Sequence, residues 1–287
     1  MNSLKNIRLV KLEREQLDMV VDWAANEGWN PGLNDAEVFW NTDPDGFYGV
    51  LKDDELIASG SVVSYNGEYG FMGFFIVKPE YRGSGLGREL WNKRKEILLS
   101  RLRKDATIGM DGVVDMQEFY AKGGFKLAYK DMRMEGMGRE YELSEDISLI
   151  EENDFIEVSK YDRECFGFDR STFLSGWLKQ SNAKAFKYKN GNNAAGIAVI
   201  RKAMNGYKIG PLFGDNLYIA EKLFEACSDT AKGEKLFLDI PKINKESVAL
   251  AKKYGLKPCF ECGRMYYGKP IDVPLEKTFG VTTFELG

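Results

Sequence analysis

Phe71-Met72-Gly73-Phe74-Phe75-Ile76-Val77, then Lys78-Pro79-Glu80-Tyr81, then Arg82-Gly83-Ser84-Gly85-Leu86-Gly87-Arg88, reads as an apolar strand, a short connection, a glycine-rich loop and the start of a helix. Pro79 ends the strand, because proline cannot donate to a ladder. The glycines let backbone approach a ligand closely and turn successive N–H groups toward it. The helix start adds partial positive charge, and Arg82 and Arg88 add formal charge. Such a loop suits an anion, and a pyrophosphate is the obvious one. A Walker-type loop would need four residues between its glycines and a following Lys-Ser/Thr, both missing here. A dinucleotide fingerprint would need glycine where Arg88 stands. The competing reading is a glycine-rich turn before a surface helix; the flanking apolar strand and Arg82 argue for the anion site.

Working outward, residues 7–12 read as a strand and 13–25 as a helix, with Leu17, Val20, Val21 and Ala24 at helical spacing. Residues 47–51, 55–65 and 68–77 read as three consecutive strands. Asp53-Asp54 and Asn66-Gly67 sit at their turns, and Asn-Gly is a strong hairpin signal. A helix is expected over 85–103, with Leu86, Leu90, Trp91, Ile97 and Leu98 on one side. A short strand over 107–110, a helix over 115–122 stopped by Gly123-Gly124, and a strand over 125–134 follow. Residues 136–146 have the composition of a linker.

The second half repeats the order. Gly210-Pro211-Leu212-Phe213-Gly214-Asp215 precedes a helix over 217–231, then an apolar strand over 236–238 ending in Asp239, then a helix to Lys253. Arg82 precedes Asp111 by 29 residues, and Gly210 precedes Asp239 by 29. Gly124-Phe125-Lys126 and Gly255-Leu256-Lys257 also correspond. The spacing predicts two divergent copies of one α/β unit. Residues 210–215 then stand where the second glycine loop should be. They carry no arginine, a proline without an N–H, and an aspartate that would repel phosphate.

The 287-residue chain is long enough for two domains, and its 44% apolar and 29% charged residues are an ordinary globular balance. A net charge of −4 points to no nucleic-acid partner. Lys93-Arg94-Lys95 with Arg101 and Arg103 reads as a solvated helix face. No run is apolar enough to span a bilayer, residues 1–5 show no signal-type run, and four scattered cysteines do not staple the fold. A cytosolic protein without a membrane partner is expected. Cys259-Phe260-Glu261-Cys262 lacks a second ligand pair, so no metal site is expected. The chain has no histidine, which excludes Ser-His-Asp, Cys-His and HExxH chemistry. Acid–base work falls to carboxylates, tyrosine, lysine, cysteine or water.

Arg82-x-x-Gly85-x-Gly87 after an apolar strand resembles the coenzyme-A motif of the GNAT N-acetyltransferase superfamily. Phe119-Tyr120-Ala121-Lys122-Gly123-Gly124-Phe125 resembles that family's tyrosine-bearing helix and Gly-Phe strand start. Together the motifs cover about residues 5–135, and the second half resembles a degenerate copy; Glu27-Gly28-Trp29-Asn30-Pro31-Gly32 and Phe279-Gly280-Val281-Thr282-Thr283-Phe284-Glu285 also resemble tandem GNAT proteins. The resemblance implies an α/β (α+β) fold of two GNAT-like domains, each a mixed, mostly antiparallel sheet flanked by helices. It implies an acetyl-CoA-binding domain over 1–140 and a degenerate domain over 141–287 that shapes the acceptor site or mediates assembly. Acetyl-CoA would lie against the backbone of Phe75, Ile76 and Val77. Its pyrophosphate would lie on Arg82, Gly83, Ser84, Gly85, Leu86, Gly87 and Arg88. Acetyl would pass directly to an amine of a small molecule or peptide.

The residue chemistry fits that scheme. Tyr120 matches the family tyrosine and can serve the departing thiolate, its reference pKa being about 10 against about 8.5 for a thiol; a packing aromatic is the plainer reading. The strand at 71–77 has no carboxylate, so Asp111, Glu27 and a water relay stand as alternative bases, each carboxylate having a turn or capping role as its plainer reading. A non-catalytic acyl-CoA sensor and a tRNA-dependent aminoacyl-transferase are the competing functions; the negative net charge argues against the latter.

Overall fold

The computed structural model describes residues 6–191 and 193–287; the stretch 1–5 lies outside them. Strands β1 (Ile7–Lys11), β2 (Phe47–Lys52), β3 (Glu55–Tyr65) and β4 (Tyr69–Val77) pair antiparallel in chain order. Helices α1 (Arg14–Asn26) and α2 (Asp35–Thr42) lie between β1 and β2 in the chain. α1 buries Leu17, Val20, Val21 and Ala24, the residues its periodicity singles out. Helix α3 (Leu86–Arg101) crosses to β5 (Thr107–Val113), which runs parallel to β4. α4 (Gln117–Lys122) leads into β6 (Lys126–Met137), which takes up part of the expected linker.

The second half runs β7 (Ile147–Leu149), α5 (Phe155–Phe166), α6 (Ser171–Lys179), β8 (Ala183–Asn190), β9 (Asn193–Lys202), β10 (Tyr207–Gly214), α7 (Leu217–Thr230), β11 (Lys235–Pro241), α8 (Lys245–Lys253), β12 (Lys257–Tyr267) and β13 (Thr278–Gly280). All strands join one thirteen-stranded, mostly antiparallel sheet flanked by helices. Its main order is β1-β2-β3-β4-β5-β12-β6-β11-β10-β9-β8-β7. The halves exchange strands at the centre: β12 lies between β5 and β6, and β6 lies between β12 and β11. Among the described residues no helix is long and apolar enough to cross a membrane.

Residues 210–214 are not a loop but the end of strand β10, the counterpart of β4. The connection to α7 is only Asp215-Asn216, and Asn216 caps that helix through Ile219 N–H. The equal 29-residue spacings misled because α7 starts 22 residues before Asp239, whereas α3 starts 25 before Asp111. The repeat itself is visible in the backbone: Phe125 N–H donates to the Tyr120 carbonyl, and Leu256 N–H donates to the Ala251 carbonyl.

Both halves open a cleft at the same place. β4 and β5 pair only through Tyr69–Thr107, Gly70–Ile108 and Phe71–Gly109, then diverge. β10 and β11 pair only through Tyr207–Leu236, Lys208–Phe237 and Ile209–Leu238. The second cleft is filled from within. β13 pairs with β10 at Leu212 and Phe213, and Val281 N–H donates to the Asp239 carbonyl of β11 at 2.8 Å. The first cleft is open.

Candidate active site

The open cleft forms a cavity of about 710 Å³ between β4 and β5. On β4 a bulge sets Phe74 and Phe75 opposite one residue of β3, between the pairs Ser59–Ile76 and Ser61–Gly73. Buried Phe74 sits at φ +48°, in the left-handed region. Such a conformation costs about 1–3 kcal/mol and persists only where the surroundings enforce it. Beyond Phe71 β4 has no β5 partner, and Phe75, Ile76 and Val77 lie on the cavity wall.

The glycine loop closes one end. Gly83 (φ +74°) and Gly85 (φ +92°) use conformations that glycine adopts freely, and nothing lies within 4 Å of where their Cβ atoms would be. Gly85 is the residue before α3, so the loop's open side faces a helix N-terminus. Arg82, Gly83, Gly85, Gly87 and Arg88 line the cavity. Of the expected loop residues, Leu86 is buried beneath the loop with Leu90 and Ile57, and the Ser84 hydroxyl donates to the Tyr81 carbonyl at 2.6 Å. Arg82 also donates to the Val77 carbonyl at 2.8 Å and pairs with Glu27, so Glu27 is tied to the loop.

Tyr120 lies across the cavity, packed on Trp91 with ring centroids 4.8 Å apart. Burial pushes its hydroxyl up to about 12, with the Arg94 charge opposing. Arg94 departs from the solvated face expected of it: it is buried against Phe75 and Trp91 with no hydrogen-bond partner among the described residues. Its neighbours in that run are engaged locally, Lys95 with the Gly123 carbonyl, Arg101 with Asp43 and Arg103 with Glu68.

Asp111 reaches the cavity from β5, but both its oxygens accept from Arg264 of β12, at 2.7 and 2.9 Å. Burial raises its pKa and Arg264 pulls it back. The repeat holds here too: Asp239 accepts from Arg133 of β6 at 2.7 and 2.8 Å. Asp111, Asp131 and Cys262 bring ligand-type atoms within 4.8 Å of one another. Arg264 occupies both oxygens of Asp111, and burial raises the pKa of Asp131 and Cys262. Cys259, its CxxC partner, is exposed.

Arg133, Phe260, Cys262, Phe284 and Glu285 also line the cavity. Arg133 donates to the Trp29 carbonyl and stacks under Phe260 and Phe284, at 5.6 and 5.3 Å from their centroids. Strand exchange and the C-terminal segment bring them to the cleft. The cavity thus has two sides. Phe75, Met110, Trp91 and Tyr120 pack together under α3 and α4, whereas Phe71, Phe74 and Leu286 belong to the core on the other face.

The family described as "Acetyltransferase (GNAT) family" matches residues 11–125, and that described as "Acetyltransferase (GNAT) domain" matches residues 158–280. A holothin acyltransferase of Pseudoalteromonas sp. is 32% identical over 275 residues, covering 95% of this chain and 92% of that protein. The crystal structure of a putative acetyltransferase from Pyrococcus horikoshii superposes with a TM-score of 0.83 at 22% identity, over 100% of this chain and 98% of that one. A tandem GNAT protein from the clavulanic acid biosynthesis pathway gives 0.62 at 12% identity, over 93% and 100%. The chain belongs to the GNAT acyltransferases, in their tandem form.

Proposed function

We propose that the protein transfers an acyl group, acetyl in the simplest case, from acyl-CoA directly to the amine of a small-molecule acceptor in the cytosol. The observation that carries this reading is the pairing of an open β4–β5 cleft with the glycine loop at its end. One groove then offers unpaired strand backbone to a pantetheine arm and helix-start N–H groups to a pyrophosphate. In this reading residues 1–140 bind the donor, and residues 141–287 are a degenerate unit that shapes the acceptor side. A relative named for acylating holothin supports a small-molecule acceptor over a peptide.

A backbone N–H at the bulge, near Ile76 or Val77, faces the developing oxyanion. Tyr120 holds its proton at neutral pH and donates a hydrogen bond to the departing sulfur. With a phenol held near about 12, the proton is shared with a thiolate of reference pKa about 8.5 rather than lost outright. Asp111 and Glu27 act through the arginines they hold, Asp111 by orienting Arg264 and Glu27 by fixing Arg82 over the loop.

The test is thermal stabilisation by acetyl-CoA together with release of free thiol on adding amines. Ligand at 100 times its Kd stabilises by about 2.7 kcal/mol. Arg82→Glu and Gly85→Glu should each abolish the stabilisation. A sensor would show the stabilisation without thiol release from any amine.

A further inference from the structure

Four carboxylates line the cavity: Glu27, Asp111, Asp115 and Glu285. Glu27 is bonded to Arg82, Asp111 gives both oxygens to Arg264, and Asp115 is exposed on the turn before α4. Glu285 is different. It is only 3% exposed, and one oxygen, Oε2, accepts from the Thr283 hydroxyl. Of the cations whose charge it feels, Arg133 is bonded to Asp239, while Lys208, 3.8 Å from Asp239, makes no hydrogen bond among the described residues. Glu285 is thus the buried cavity carboxylate that no ion pair holds among the described residues.

The chain shows how it is delivered. β13 is anchored in the closed second cleft, and residues 281–287 run from there to the open one. Arg170 donates to the Thr282 hydroxyl and the Gly287 carbonyl, and the Tyr65 hydroxyl donates to the Leu286 carbonyl at 2.8 Å. A Cβ on Gly73 would stand 2.2 Å from the Glu285 carbonyl oxygen, so glycine there lets the segment lie on β4 beside the Phe74 bulge. Leu286 packs in the core of the face opposite Tyr120.

We infer that Glu285 is the acceptor-side catalytic carboxylate: it binds the ammonium form of the amine and takes its proton. The closed cleft of the second half then anchors the residue that serves the open cleft of the first. The inference rests on the acyl-transfer reading above. Glu285 removes one proton from the ammonium. The freed nitrogen pair forms a C–N bond to the thioester carbon while the carbonyl pair moves to oxygen. Return of that pair breaks the C–S bond, and the second amine proton ends on sulfur. The products are amide, free thiol and protonated Glu285, which releases its proton to solvent. The charges facing Glu285 are Asp111 on β5, Arg133 on β6 and Lys208 on β10.

The experiment measures thiol release from acetyl-CoA and propionyl-CoA with benzylamine, tyramine, putrescine, glycinamide and aniline. Glu285→Gln should lower kcat/KM for the alkylamines by about 100-fold or more and remove the acid limb of its pH profile. Aniline, already neutral at pH 7, should lose less. Acetyl-CoA affinity by thermal shift should change less than about twofold. Glu285→Asp, a milder change that keeps the charge, should cost about 10-fold and retain the acid limb. The inference fails if either variant stays within about threefold of wild type for every amine the wild type acylates, or if acetyl-CoA binding falls as far as turnover. Wild-type protein that acylates none of these amines sinks the transfer reading itself, and this inference with it.

Discussion

Tyr120 shows how one position divides the two halves. Its carbonyl accepts from Phe125 N–H just as that of Ala251 accepts from Leu256 N–H, so the backbone is the same and only one copy keeps the phenol. Because burial holds that phenol up to about 12, it keeps its proton across pH 6–9 and is a donor throughout. A hydrogen bond to a charged group contributes about 1.5–3 kcal/mol, which is about 10- to 100-fold in rate. Tyr120→Phe should therefore lower kcat by that factor, leave acyl-CoA affinity within about twofold, and not move the pH profile. Steady-state rates from pH 6 to 9 check this, and a shifted limb would show that another group depends on the phenol. Tyr120 was legible from the Phe119 to Phe125 motif. Arg133 was not, because its place is set by a pair with Asp239 more than a hundred residues away; Phe284 and Glu285 lie in the stretch 279–285, whose resemblance to tandem GNAT proteins gave neither residue a role.

Elements were legible where their signals are local. α1, β2, β3, β4, α3 and α7 stand within two residues of where periodicity and turn residues put them. The end of β10 was misread because Gly210, Pro211 and Gly214 look like a loop, yet here they build a strand whose bulge region accepts β13. α2 was hidden: it is eight residues long, follows a stretch rich in turn formers, and owes its place to a tertiary contact. That contact is an ion pair between halves. Buried Asp35 of α2 accepts from buried Arg201 of β9 at 2.9 and 3.2 Å, and also from Gly32 N–H at 2.8 Å. Arg201 stacks on Trp177, 4.3 Å from its centroid. Removing one partner of a buried pair strands the other charge and costs about 3–5 kcal/mol. Asp35→Ala should destabilise the chain by that amount, read from the denaturant midpoint at unchanged slope. Loss below about 1 kcal/mol would mean that water reaches Arg201.

At the scale of the whole molecule, the unit of ligand binding and the unit of folding need not coincide. The central strands belong to the opposite half's sheet as much as to their own: β6 is bonded on both edges to strands of the second half, and β5 has β12 as its outer neighbour. The buried pairs Asp111–Arg264 and Arg133–Asp239 cross the same seam. Cutting the chain near residue 140 would leave β6 without either neighbour, one edge of β5 unpaired, and Asp111 and Arg133 as buried charges without partners. Each such loss is costly where water is excluded. The full chain should therefore unfold in one cooperative transition, with coincident midpoints by far-ultraviolet circular dichroism and tryptophan fluorescence. A fragment of residues 1–140 should show neither a cooperative transition nor stabilisation by acetyl-CoA, although it carries the whole glycine loop. Two separate transitions, with acetyl-CoA raising only one, would show instead that each half can close its sheet without the strand it receives.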